Sequence, residues 1–222
     1  MRSGDRRRSL IFADRVEAGE RLGRALAERV GPDAVVLAIP RGGVLVGEAV
    51  ARALGTPLDV VVPRKIGAPG NPELGLGAVA PGVRVLDPRM VAGLGVSDEY
   101  LEREIAAQES EIERRQHAYR EGRPAVAVRG RVAVIVDDGV ATGGTAIAAL
   151  RWARAQGASR VILAVPVAPP QALERLAAEA DDVLVLETPE PFFAVGEWYR
   201  DFDQTSDGEV VKAIARSAGP RA

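Results

Sequence analysis

The sequence predicts an α/β chain, doubly wound about a mostly parallel sheet, and three observations carry that reading. Ala34 to Ile39, Val132 to Val136 and Arg160 to Val165 are short, near-continuous apolar runs, the pattern of strands buried on both faces. Each is followed by a turn and then by a segment of helical character, so strands and helices alternate. Two of those turns, Pro40-Arg41-Gly42-Gly43 and Asp137 to Thr145, are glycine-rich and stand between a strand's carboxyl end and a helix's amino end. Ligands of open α/β sheets gather at such places.

Length and composition bound the rest. The chain has 222 residues, a formal net charge of −2 and 47% hydrophobic content, enough for one sizeable core, so residues 1–222 are read as a single domain. Near-neutral charge argues against a nucleic-acid or anionic-membrane surface. The absence of Cys removes a disulfide framework, a thiolate metal site and a Cys nucleophile. No apolar run approaches a membrane span, and no apolar signal core follows the amino-terminal arginines, so a cytoplasmic location is expected. Arg dominates the basic residues; Lys65 and Lys212 are the only lysines, which makes Lys65 conspicuous.

Taken in order, Met1 to Ser9 is basic and reads as a frayed or weakly docking segment. Asp14 to Glu17 has the form of a capping box, and Val16, Leu22, Leu26 and Val30 give a helical stripe ending at Gly31-Pro32. Strand Ala34–Ile39, the glycine turn, a helix through about Leu54 and a strand from Pro57 to Val62 then form a βαβ unit. Four glycines and two prolines between Arg64 and Gly77 argue for a loop or loose hairpin rather than a long regular element. Ser97 to Arg120 is the clearest helix, capped by Ser97, with Asp98 and Glu99 suiting its positive end. Its apolar seam of Leu101, Ile105, Ile112 and Tyr119 is thin, so it covers the main domain or meets a partner subunit, which leaves a homodimer open. His117, the sole histidine, reads as a solvated residue on this charged rod. After the strand at Arg160, a helix spans Pro170 to Ala180, a strand Val183 to Leu186, and a closing helix Ser206 to Arg216. Between the last two lies an irregular stretch, Glu190 to Phe202, that concentrates the chain's scarce aromatics.

The chemistry is in the turns. After Val132–Val136 come Asp137 and Asp138, then Ala141-Thr142-Gly143-Gly144-Thr145 at the start of a helix. Small residues and hydroxyls before a helix amino end suit a phosphate. The adjacent carboxylates would repel a phosphate and suit hydroxyls or a metal, so the ligand carries both a phosphate and a diol. Asp-Asp-Gly alone would be an ordinary turn; the whole run in this order is far more specific. It resembles the phosphoribosyl pyrophosphate (PRPP) signature of type I phosphoribosyltransferases.

That resemblance covers roughly residues 34–203 and carries its own expectations. It implies that Asp137 and Asp138 hold the ribose 2′- and 3′-hydroxyls and that Ala141, Thr142, Gly143, Gly144 and Thr145 wrap the 5′-phosphate. It also implies that Arg41, Gly42 and Gly43 hold pyrophosphate. Residues 64–80 correspond to the family's flexible lid, with Lys65 acting with Arg41 on the leaving group; residues 97–121 are an inserted helix. Residues 187–205 resemble the hood of the 6-oxopurine enzymes, which pairs Phe193 with the base, adds Trp198 to the base platform, and places Asp201 with Asp138 at Mg²⁺. The expected reaction is transfer of ribose 5-phosphate from PRPP to a nitrogen of a small planar, nucleobase-like acceptor, Mg²⁺-dependent, with release of pyrophosphate. Ala141 stands where 6-oxopurine enzymes usually have Asp, which leaves the acceptor open. A catalytically silent PRPP-binding regulator is the alternative. A Mg²⁺ phosphohydrolase is disfavoured, because a phosphate loop beside a diacid provides no placed water and base.

Overall fold

The computed structural model describes residues 11–217, so the basic segment Met1 to Ser9 lies outside the described residues. Five strands form one all-parallel sheet in the order β2-β1-β6-β7-β8: β1 (Ala34–Ala38), β2 (Leu58–Val60), β6 (Val132–Val136), β7 (Arg160–Val167) and β8 (Asp182–Glu187). β1 pairs in register with β6, Ala34 opposite Val132 through Ala38 opposite Val136, which brings the two glycine-rich turns side by side. Because strand side chains alternate faces, Val36, Ala38, Val134 and Ile162 feed one core, while Val35, Leu37, Ile135 and Leu163 feed the other. The first core is covered by α1 (Arg15–Leu26), α2 (Gly42–Leu54), α4 (Asp98–Arg120) and α7 (Asp207–Ser217), the second by α5 (Gly144–Ala155) and α6 (Pro170–Ala177). This is the doubly wound α/β arrangement expected from the sequence.

Of the predicted apolar stripe, the helix that opens the described fold buries Leu22 and Leu26, Val30 just beyond it packs on the core, and only Val16 of the four stands outside. Val16 is 44% exposed, and α1 buries Arg15, Ala18, Gly19, Leu22, Gly23 and Leu26. The reason is close packing on α2: a Cβ at Gly19 would stand 2.6 Å from the Val46 carbonyl oxygen, and one at Gly23 2.6 Å from Ala53 Cβ. Leu22 and Leu26 thus belong to the buried face, and small residues complete it where the stripe had Val16. Asp14 caps the helix as read, its carboxylate accepting the Glu17 amide at 2.8 Å.

A second correction concerns residues 64–80. They hold regular strands, β3 (Arg64–Ala68) and β4 (Asn71–Ala80), which with β5 (Val83–Leu86) make a three-stranded antiparallel sheet. Glycine permits rather than prevents this. Gly67 faces the Pro72 backbone at 2.7 Å and Gly77 the Val85 carbonyl at 2.1 Å from a hypothetical Cβ, so close strand approach excludes side chains at both. Ile66, Leu76, Ala78 and Val79 are fully buried, worth about 1.5–3 kcal/mol for each large side chain. That anchors the base of the hairpin and leaves Pro69 to Glu73 exposed at its tip.

The short α3 (Pro88–Gly93) leads into α4, which begins at its Ser97 cap as read, the hydroxyl accepting the Tyr100 amide. Leu101, Ile105, Ile112 and Tyr119 are buried in the first core, so the seam covers the chain's own domain. Gln108, which interrupts the seam, accepts a bond from Arg64 Nε at 2.8 Å, and Arg120 pairs with buried Asp59 at 2.9 Å. His117 is exposed, as expected.

Candidate active site

The two turns at the ends of β1 and β6 are pressed together so tightly that no side chain fits between them. A Cβ on Gly42 would stand 1.9 Å from Asp138 Oδ2, and one on Gly43 would stand 2.8 Å from Asp137 Cα. The Ile39 amide donates to the Val136 carbonyl at 2.8 Å, tying the strand ends at the same point. Beyond the acidic pair, Gly143 adopts a left-handed conformation (φ 86°) as the amino cap of α5, which aims the following backbone amides outward.

Asp137 and Asp138 are adjacent carboxylates, each shielded from water and each acting on the other's charge. Burial raises Asp137 well above the usual carboxylate range, and the neighbouring Asp138 charge adds to it. Burial also raises Asp138, but the guanidinium of Arg15, with Nε 2.8 Å from Asp138 Oδ2, opposes the rise. Asp137 is therefore displaced further upward than Asp138, which has the guanidinium directly against it. Arg15 went unseen in the sequence because its partner is 123 residues away and nothing local marks it.

Two cavities adjoin the turns that carry this pair, and neither is lined by Asp137 or Asp138 themselves. One, about 590 Å³, is lined by the whole loop Gly139–Thr145 together with Lys65, Leu74, Met90 and Arg175. It therefore brings Lys65 to Ala141, Thr142, Gly143, Gly144 and Thr145, and not to Arg41, the residue with which the resemblance pairs it. Lys65 Nζ is engaged within its own hairpin, donating to the Glu73 carbonyl at 2.7 Å and pairing with the Glu73 carboxylate at 3.3 Å. The other cavity, about 300 Å³, is lined by Arg15, Arg41, Gly42, Phe202, Gln204 and Thr205. A larger cavity of about 720 Å³ lies between α2 and α7, beside Glu48, Arg52 and Arg216. It holds no candidate residue and is remote from the loop ends.

The hood departs most from expectation. It is built from both ends of the described chain: Ile11 and Phe12 amides donate to the Trp198 carbonyl, and the Arg200 and Asp201 amides donate back to Phe12 and Ala13. Trp198 is only 6% exposed, packed with Phe12, Val167 and Tyr199 and stacked on Phe192, so its ring is spent on holding the hood together and lines neither cavity. Phe193 is 70% exposed, outside both cavities. Tyr199 donates through its hydroxyl to the Asp138 carbonyl at 2.5 Å, a contact that seats the hood on the acidic loop. Gly139 is needed there, since a Cβ would lie 2.6 Å from Val195 Cγ1.

Asp201 is exposed, and among the described residues no three His, Asp or Glu side chains converge as a metal cage. Asp138 Oδ2 is already held by Arg15. The two carboxylates that the resemblance assigns to Mg²⁺ thus stand in different surroundings, Asp201 exposed and Asp138 paired with Arg15.

Comparison with known proteins agrees with this architecture. A family model of the phosphoribosyl transferase domain matches residues 14–200. Two curated proteins from strains of Mycobacterium tuberculosis, each provisionally named a phosphoribosyl transferase, are 48% identical over 208 residues, covering 93% of this chain. The chain spans about half, 47%, of their length. The crystal structure of TT1426 from Thermus thermophilus is 48% identical, covers 94% of this chain and 99% of its own, and superposes with a TM-score of 0.80. The fold, the paired turns and these matches together place the chain in the phosphoribosyl transferase family.

Proposed function

We propose that this protein transfers ribose 5-phosphate from PRPP to a nitrogen of a small planar base, releasing pyrophosphate. The observation that carries the proposal is the joining of the two turns, Gly42 and Gly43 against Asp138 and Asp137, with one cavity lined by Gly42 and another by Gly139–Thr145. A phosphate held at Thr142–Thr145 and a diphosphate at Arg41 then occupy separate cavities, and the carboxylates suited to ribose hydroxyls stand where the two turns meet. The bond from C1 of the ribose to the diphosphate oxygen breaks, and the electron pair leaves with the diphosphate. The sugar carries oxocarbenium-like positive charge until the acceptor nitrogen forms the new bond and loses its proton. The protein's part is to neutralise the departing anion with Arg41 and with Lys65, which has to cross from the cavity of the phosphate loop, and to keep water out. Lys65 must leave Glu73 to do so, which makes the exposed hairpin tip the moving part.

A second reading, a silent PRPP-binding regulator, draws support from the hood, where Trp198 turns inward and offers no stacking face. A panel of nucleobases with PRPP and Mg²⁺, read as pyrophosphate release, separates the two. Turnover with one base supports the transferase, and Lys65→Ala should then lower kcat by roughly 10²-fold with little change in PRPP affinity. Tight PRPP binding with no release across the panel supports the regulator.

A further inference from the structure

Arg15 is at the centre of the site although neither turn contains it. It opens α1 and is 8% exposed. Nε donates to Asp138 Oδ2 at 2.8 Å, Nη1 donates to the Asp203 carbonyl at 2.7 Å, and the guanidinium lies 3.8 Å over the Phe202 ring. One side chain thus ties the acidic loop to the segment that follows the hood. Its remaining nitrogen, Nη2, has no hydrogen-bond partner among the described residues, and Arg15 lines the 300 Å³ cavity beside Arg41. Among the described residues no carboxylate lines that cavity, while Asp207 stands 4.0 Å from Arg41 Nη1 outside its lining. Its other polar members are Gln204 and Thr205, and the Thr205 hydroxyl is buried without a partner among the described residues. Gly42 seals the corner: a Cβ there would come within 2.8 Å of Arg15 Nε as well as meeting Asp138. The ion pair is therefore built into the meeting of the two turns.

We propose that Arg15 is a positioning residue for PRPP. It is the resident counterion that aims Asp138 at the ribose hydroxyls, while its free Nη2 joins Arg41 in receiving the diphosphate. Only a planar, forked cation can bond a carboxylate, a carbonyl and a ligand from one fixed position; an ammonium supplies the charge without the fork. Through Oδ2 the protein's own cation shares Asp138 with the ligand that the acidic pair receives. The diol part of this inference rests on the transferase reading, and the diphosphate part does not.

The test is calorimetric titration of the full chain, as wild type, R15Q and R15K, with inorganic diphosphate and separately with Mg²⁺ and PRPP. R15Q should lose at least about tenfold in affinity for both probes. R15K should recover much of the diphosphate affinity and little of the PRPP affinity, a split that a merely structural role for Arg15 would not produce. Wild type that binds no diphosphate, or R15Q that binds it as wild type does, overturns the assignment. Should R15Q fail to fold, R15K decides alone: a selective PRPP deficit supports the proposal and wild-type affinity for both probes overturns it. Diphosphate binding that depends on Arg15, in a wild type that ignores PRPP, would sink the transferase reading and leave the diphosphate role of Arg15 standing.

Discussion

The acidic loop at residues 137–145 and the hood at residues 190–205 meet at Gly139 and Val195, yet they are made in opposite ways. In the loop, contiguous residues carry the chemistry: carboxylates at a strand end, then small and hydroxyl residues at a helix start, with direction set by backbone geometry. In the hood, the chemistry depends on how aromatic rings are shared out. Trp198 and Tyr199 turn inward against Phe12, Phe202 lies under Arg15, and Phe193 stays exposed. A backbone-encoded site tolerates little substitution, whereas a side-chain-encoded one divides its residues between holding and touching.

The largest expected effect tests the first half of that contrast. Gly42→Ala drives a methyl into Asp138 Oδ2 and Arg15 Nε, both of which must move. PRPP affinity should fall roughly 10²-fold, since a shift of about 1 Å in a positioning group costs that much. Titration with PRPP measures it, and near-wild-type binding would show that the two turns do not need their tight contact.

The next effect tests the hood. Trp198→Ala should cost about 3–5 kcal/mol of stability, as for other buried large aromatics, measured by denaturant unfolding. Phe193→Ala should change stability by less than about 0.5 kcal/mol. Any defect it shows should be confined to the acceptor-dependent step. A stable Trp198→Ala variant with a selective loss of base-dependent turnover would reverse the assignment and make Trp198 the platform.

The smallest effect concerns protons. Asp137 has its pKa raised in the folded protein by burial and then by Asp138. The folded state therefore binds that proton more tightly than the unfolded state. The resulting stability is fully present at acid pH and is lost as pH rises through the raised value. Asp137→Asn cannot ionise, so its thermal midpoint should exceed wild type by a few degrees at the alkaline end and converge with it at the acid end. Melting curves between about pH 4 and pH 9 check the sign; a wild type that gains on Asp137→Asn as pH rises would contradict it.

Much of this molecule was legible in residue order because its determinants are local. Doubly buried strands need near-continuous apolar runs, so β1, β6 and β7 could be read directly, and the parallel sheet followed from their alternation with helices. The Ser97 cap, the start of α4 and its buried seam were equally local, as was the loop from Asp137 to Thr145. What required tertiary structure is where small or ambiguous residues take their meaning from distant partners. Gly19 and Gly23 set the buried face of α1 only because α2 lies against them, and the glycines of residues 64–80 permit a sheet only because the strands approach so closely. Trp198 could have faced a ligand or a core, and the strand-like pairing with residues 11–13 decided for the core. Arg15 and Asp138, 123 residues apart, acquire a joint role only when the fold brings α1 to the end of β6, because an ion pair depends on distance in space and leaves no trace in sequence order.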